Sequence, residues 1–134
     1  MAWLSKYEPQ LLSILRIVAA LLFLEHGLQK IFGFPPMPPA MAHAIPANFM
    51  PVILAAGAIE LVGGVLLVLG LFTRLVAFIS AGEMAVAYWL VHFARGGFFP
   101  ANNGGDAAIL FCFIFLFIAA AGPGAWAVSK SPST

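Results

Sequence analysis

Four long apolar stretches occupy most of this chain of 134 residues. Each holds about 20 residues, which in a helix suffices to cross the ~30 Å hydrocarbon core of a bilayer. Only 8% of the residues are charged, whereas a soluble domain carries roughly 25%. The surface therefore cannot be covered by charge and must face lipid. The predicted spans are residues 11–32, 51–72, 75–93 and 102–121.

These spans predict an all-α fold, a polytopic integral membrane four-helix bundle with up-down-up-down topology, in which residues 1–134 form a single domain. The connection between the first two spans is rich in proline, which fixes φ and makes the segment stiff. Residues 70–74 leave room for only a tight turn between the second and third spans. Asn102 or Asn103 is expected to cap the fourth helix, with Asp106 in its first turn.

Basic residues at the span ends predict the orientation. Lys6, Arg74 and Lys130 lie on one side, and Lys30 and Arg95 lie on the other. Cytoplasmic loops carry an excess of lysine and arginine. The sequence thus predicts a multi-pass membrane protein with both termini in the cytoplasm.

Other features exclude several classes of function. A net charge of +1 offers no basic surface for nucleic acid. Cys112 is the single cysteine, which excludes an internal disulfide and a thiolate metal cage. The sequence has no metal-ligand cluster, nucleophile triad or phosphate-binding glycine loop. His43, in the proline-rich connection, is expected to be solvated, and the phenylalanines around the fourth span are expected to face lipid.

Ionisable residues inside the apolar spans are the most informative positions. A charged side chain near the bilayer centre costs about 2.5–3.5 kcal/mol on insertion scales, so such residues turn inward and find partners. Counted along the helices from the cytoplasmic end, Arg16 stands at about 7 Å and Glu83 at about 12 Å. We therefore predict a structural ion pair between Arg16 and Glu83.

A second group stands higher in the membrane, at about 18–25 Å. Two carboxylates close to an imidazole can relay protons, and two basic residues stand at the mouth of the group. The expected site is an apolar pocket with a polar tip, with Phe98 and Phe99 as a lid. An alternative is that these residues only join helices through buried hydrogen bonds. The predicted ligand-binding residues are Glu25, His26, Lys30, Glu60, His92 and Arg95.

Short motifs in a fixed order carry a resemblance to a known family. The motifs are EHGLQKIFG at 25–33, ELVGG at 60–64, LGLFTR at 69–74, GFF at 97–99, NGGD at 103–106 and GPG at 122–124. With these motifs the chain resembles the DoxX family over nearly its whole length. One departure is Asp106, where the family usually has glutamate.

The resemblance implies a four-helix protein of the inner membrane. Relatives include a subunit of an archaeal thiosulfate:quinone oxidoreductase and partners in membrane-linked redox and oxidative-stress systems. The leading hypothesis is a membrane subunit of a redox system that binds a quinone or a similar lipophilic molecule. Glu60, Glu25 and His26 would handle protons, and Lys30 and Arg95 would orient the polar head.

Two other functions stay open: a carrier of a small solute or protons, and a non-catalytic scaffold or assembly factor. Whether the chain is an enzyme is also open, since a quinone-linked oxidoreductase subunit need not catalyse alone.

A quinone is the candidate cofactor. His26 and His92 could ligate a b-type haem, but haem b is disfavoured because such histidine pairs arise by chance. Expected partners are the bilayer, other redox-complex subunits and further copies of the chain.

Overall fold

The computed structural model describes residues 2–39 and 46–129, and within them four apolar helices form a bundle. Three helices are long and apolar enough to cross a bilayer: α2 (Glu8–Phe32), α3 (Ala47–Leu69) and α4 (Thr73–Gly96). A fourth, α6 (Asp106–Ala121), is apolar and shorter, and α1 (Ala2–Ser5) and α5 (Pro100–Asn103) are single turns. The predicted all-α membrane bundle is thereby confirmed.

The helices alternate in direction, so the bundle has two distinct ends. We call the end where α2 and α4 begin, and where α3 and α6 finish, the terminus end. The opposite end, which carries the two long connections, is the loop end. Lys6 and Arg74 lie at the terminus end and Arg95 at the loop end. Lys130 and His43 fall outside the described residues, and the predicted cytoplasmic location of the termini stays a prediction.

Helix α3 ends at Leu69, three residues before the end of the predicted span, and a tight turn connects it to α4. It ends there because Gly70 has φ 72°, in the left-handed region, and Phe72, just before α4, also lies in that region with φ 48°. Glycine adopts this conformation without steric cost. Helix α4 then begins at Thr73 and runs antiparallel to α3.

The fourth helix begins later than predicted. Gly104, with φ 70°, ends α5, and α6 starts at Asp106 with no side-chain cap. The expectation that Asn102 or Asn103 caps this helix is therefore wrong. The Asn103 carboxamide oxygen instead accepts a hydrogen bond of 2.8 Å from the Gly105 amide, within the turn that separates α5 from α6.

Glycines let α2 and α3 pack closely. A Cβ atom placed on Gly27 would lie 2.5 Å from the Leu61 amide nitrogen, and one on Gly64 would lie 2.8 Å from the Leu24 Cβ. Small residues at such positions allow helix backbones to approach within a membrane. Helix α2 therefore packs along α3, while α4 packs along α6, and α3 and α4 contact each other less extensively.

Aromatic rings fill the core between the two helix pairs. The rings of Phe23 and Phe115 lie 4.8 Å apart, and Phe111 stacks on Phe115 at 5.6 Å. Phe111 and Phe115 are buried, whereas Phe113 and Phe117 are exposed. The expectation that every phenylalanine of the fourth span faces lipid is thus wrong for the two that meet Phe23.

The predicted ion pair between Arg16 and Glu83 does not form. The buried Arg16 guanidinium donates to four backbone carbonyl groups, with distances of 2.8 Å to Pro123 and to Val68. The other two acceptors are the carbonyls of Leu67 and Trp126. The last carbonyls of a helix have no partner within it, and those of α3 lie closer to Arg16 than any carboxylate of the described residues does.

The C-terminal segment folds back across the terminus end. The Trp126 amide donates to the Ser13 hydroxyl at 2.9 Å, and the Val128 amide donates to the Leu69 carbonyl at 3.0 Å. Arg74 donates to the carbonyls of Ala119 and Ala120 at the end of α6. Two arginines therefore bind the carbonyl ends of α3 and α6 and close this end of the bundle.

Candidate functional site

A cavity of about 510 Å³ lies between α3 and α4, and residues of α2 and α6 complete its lining. Its walls are mostly apolar and come from Val52–Ile59 of α3 and Ile79–Val91 of α4. The cavity exists because the tight pairing of α2 with α3, and of α4 with α6, leaves a looser seam between the pairs. A volume of this size suits a small lipophilic molecule.

The seam opens sideways on the surface of the bundle. Val52 of α3 and Ile79, Val86 and Leu90 of α4 line the cavity and are each 43–54% exposed. Gly82 also lines the cavity, and a Cβ atom placed there would meet nothing within 4 Å. Since the outer surface of an apolar bundle faces lipid, a ligand would enter this opening from the bilayer.

A lysine–glutamate pair lies at the base of the cavity. The Lys30 Nζ atom of α2 is 2.6 Å from both carboxylate oxygens of Glu60 on α3. Glu60 is 1% exposed and Lys30 is 20% exposed. Lys30 was predicted above Glu60, at the mouth, but a lysine side chain is long enough to reach down to the carboxylate. Each charge neutralises the other where water is scarce.

Glu83 of α4 faces the same base. Its Oε2 atom is buried and has no hydrogen-bond partner among the described residues. The helix register explains its position: a Cβ atom on Gly63 would lie 3.2 Å from the Ser80 hydroxyl, one turn below Glu83. Glu83 therefore stands at the height of Glu60, well away from Arg16. Glu83 was predicted to pair with Arg16, and its place in the cavity was not predicted from the sequence.

Two histidines line the cavity at different heights. His26 stands beside Phe111, with ring centroids 6.2 Å apart and planes perpendicular. His92 is nine residues beyond Glu83, which is about 13 Å further along the helix. Its Nδ1 atom is 3.2 Å from the Asn103 carbonyl oxygen. Because the histidines stand at opposite ends of the cavity, they do not face one another.

The loop end of α4 is widened into a π-helical segment, Tyr88–Phe93. Such segments are rare and occur frequently at functional sites. The Tyr88 hydroxyl donates to the Phe98 carbonyl at 2.6 Å, and the Asn103 carboxamide donates to the Gly97 carbonyl at 2.7 Å. These bonds attach the connection after α4 to the helix and hold His92 beside the cavity.

Several predicted site residues lie elsewhere. Glu25 and Arg95 are exposed and do not line the cavity. Phe98 and Phe99, predicted as a lid, pack edge to face at 5.9 Å, remain exposed and also lie off the cavity lining. The structure therefore brings together four of the six predicted ligand-binding residues, adds Glu83 and leaves two outside. The four are His26, Lys30, Glu60 and His92.

Within residues 2–39 and 46–129, no group of three or more His, Cys, Asp or Glu side chains is placed to hold a metal ion. The polar groups of the cavity are instead the Lys30–Glu60 pair, the Glu83 carboxyl group and the two imidazoles. Such a set can bind the polar head of a lipophilic molecule and can accept or release protons.

Fold and cavity together define a class: a multi-pass helical membrane protein with a polar-based cavity open towards lipid. The sequence model of the DoxX family matches residues 11–93, and the chain belongs to that family. A protein of Haemophilus influenzae, described as uncharacterized, is 46% identical over 129 residues, which cover 95% of this chain and 94% of the relative. No solved structure matches the chain.

Proposed function

We propose that this protein is a membrane subunit of a redox system and binds a quinone or a similar lipophilic molecule in the cavity between α3 and α4. The observation that carries the proposal is the combination of an apolar cavity open sideways with a polar base at Glu60, Lys30 and Glu83. A quinone combines an apolar tail with a polar ring, and this cavity offers a complementary surface to each.

The base of the cavity supports a role in proton handling. Carboxylates and imidazoles that stand together in a membrane commonly form proton relays. His26 stands at the height of Glu60, because Gly27, next to it, packs against the backbone of Glu60, and the contact between Gly63 and Ser80 places Glu83 at the same height. Protons exchanged with a ligand head would therefore pass among these three side chains. Glu25, exposed on α2, is not part of this group.

The apolar packing at the terminus end supports a binding function over a transport function. Below the base of the cavity, Phe23, Leu67 and Ala77 are fully buried, and Arg16 is held by the carbonyls beyond them. A carrier needs a polar path through the bundle, and these packed apolar side chains interrupt it. The proposal therefore ranks a binding subunit above a carrier of solute or protons.

The test measures binding of a short-chain ubiquinone to the purified protein in nanodiscs, corrected by nanodiscs without protein. Gly82→Leu is expected to abolish binding, since the new side chain fills open space at the cavity rather than clashing with a helix. Glu60→Gln is expected to weaken binding about tenfold, the effect of losing about 1.4 kcal/mol at one charged contact.

Glu25→Gln serves as the matched control, because this carboxylate lies outside the cavity. Its affinity for ubiquinone should equal that of the wild type. Unchanged affinity in both Gly82→Leu and Glu60→Gln would remove the cavity as the binding site. Proton or solute flux in proteoliposomes that follows Glu60 and Glu83 substitutions would support a carrier instead, and a fixed protein partner without ligand binding would support a scaffold.

A further inference from the structure

Glu25 lies on the lipid-facing surface of the bundle, close to its mid-depth. Gly27 of α2 packs against the backbone of Glu60, which stands near the middle of α3. Glu25 precedes Gly27 by two residues, so it lies within one helical turn of that height. It is exposed, and no salt bridge within the described residues includes it. Because ionisable groups in lipid are costly and normally meet a polar partner, we expect another molecule to supply one here.

The helix register directs Glu25 away from the rest of the chain. Arg16, Phe23 and Gly27 are buried and mark the face of α2 that packs against the bundle. With 3.6 residues per turn, these three residues lie about 160–200° around the helix axis from Glu25. The Glu25 side chain is therefore centred on the outward face of α2, opposite the packed one.

The same outward face carries a heptad pattern. Side chains that are alternately four and three residues apart follow it, which is the spacing of the d and a positions of a coiled coil. All are exposed except Leu28, which is half-buried. Valine at a and leucine at d favour a pair of parallel helices, and a single polar residue at an a position fixes their register. We call these residues the α2 stripe: Ile14, Leu21 and Leu28 at d, and Val18, Glu25 and Phe32 at a.

We propose that the α2 stripe pairs two copies of this chain, α2 against α2, with the two Glu25 carboxyl groups facing each other. Copies inserted with the same topology have parallel α2 helices, and a twofold axis places like a positions opposite one another. A neutral carboxyl group is its own complement, because its hydroxyl donates and its carbonyl oxygen accepts. A second copy therefore supplies by symmetry the polar contact that Glu25 needs, and hydrogen bonds between helices stabilise their association in lipid. None of the stripe residues lines the cavity, so this interface is separate from the proposed ligand site.

The experiment measures energy transfer between donor- and acceptor-labelled copies in liposomes, as the ratio of lipid to protein is raised. The labels are attached at Phe98→Cys, exposed at the loop end, in a Cys112→Ala background. We expect transfer that falls on dilution in lipid. Glu25→Leu should require about tenfold more protein per lipid for the same transfer, since the hydrogen bonds between copies are lost. Glu25→Gln should stay within about twofold of the Glu25 protein, because a carboxamide keeps both a donor and an acceptor.

A matched pair of cysteine substitutions locates the interface. Val18 lies at an a position of the α2 stripe and Val62 lies on α3, and both side chains are exposed. Like a positions of two paired helices are close enough for a disulfide. In the Cys112→Ala background, oxidation in the membrane should therefore cross-link Val18→Cys into a covalent dimer and leave Val62→Cys monomeric.

Absence of energy transfer at every lipid ratio would overturn the proposal, as would equal transfer by the Glu25 protein and by folded Glu25→Leu. Cross-linking of Val62→Cys in place of Val18→Cys would overturn the assignment to α2. Thermal melting of Glu25→Leu in the same liposomes separates lost pairing from lost folding. If this variant does not fold, the two cysteine variants decide the question alone.

Discussion

Arg16 illustrates how a single buried charge is stabilised without a counter-charge. Its guanidinium is 0% exposed and donates to carbonyls of α3 and of the C-terminal segment. Five donors in a planar fork suit several carbonyl oxygens at once, and the C-terminal end of a helix carries a partial negative charge. The arginine therefore joins three parts of the chain at one point, a structural role rather than a ligand-binding one.

Replacing Arg16 should weaken the fold. Arg16→Met leaves the carbonyls of α3 and of the C-terminal segment without donors, and we expect the free energy of unfolding to fall by about 3 kcal/mol. Arg16→Lys should lose less, because an ammonium still supplies three donors. Unfolding in mixed micelles with increasing SDS measures the difference.

Arg95→Met is the control for this experiment, since Arg95 is exposed at the loop end and should tolerate the change. If Arg16→Met unfolds at the same SDS fraction as the wild type, the carbonyl contacts do not stabilise the bundle.

At the scale of the helices, glycine has two opposite roles in this chain. Gly27 and Gly64 lie where α2 and α3 touch, and a methyl group at either position would overlap the neighbouring backbone. Gly82 lies on α4 where that helix faces the open seam. The same residue type therefore permits close packing in one place and leaves open space in the other.

A matched pair of alanine substitutions separates these roles. Gly27→Ala should destabilise the protein by about 1–3 kcal/mol, the usual effect of overpacking. Gly82→Ala should leave stability unchanged or raise it by up to about 1 kcal/mol through helix propensity. Thermal melting in detergent distinguishes them, and equal melting temperatures would contradict the close approach of α2 and α3.

At the scale of the whole molecule, the pairing of helices produces the cavity. Helix α2 packs along α3 and α4 along α6, so the seam between the pairs is the least filled part of the bundle. Exposed Ile79 and Leu90 border this seam on α4. Its opening therefore faces sideways, whereas the terminus end is closed by Arg16 and Arg74.

Access from the bilayer can be measured with a spin label. A nitroxide attached to Gly82→Cys, in a Cys112→Ala background, should collide often with molecular oxygen and rarely with a water-soluble nickel chelate. The same label at Phe98→Cys, exposed in the connection after α4, should show the reverse. Addition of decylubiquinone should lower oxygen access at residue 82. High access of the nickel chelate there would indicate a water-filled opening instead.

The sequence identified the functionally and structurally important residues well, but it predicted less well which of them contact one another. Apolar length and the scarcity of charge identify the spans, because each span must satisfy its own backbone hydrogen bonds within lipid. The same cost of charge in lipid marks Arg16, Glu60 and Glu83 as positions that need partners. Glu60 and His26 were likewise expected near one height, whereas Lys30 was expected above them, at the mouth of the site. These inferences depend on properties of individual helices and of the lipid around them.

The pairing of charges was decided by tertiary structure. Counting residues gives a height within one helix, but neither the rotation of that helix nor the point where its neighbour ends. Arg16 met the carbonyl end of α3, Lys30 reached Glu60, and Glu83 turned to the cavity while Glu25 turned outward. Where α3 ends depends on left-handed residues in a turn, and how two helices mesh depends on glycine contacts between them. Both arise only when the helices pack together.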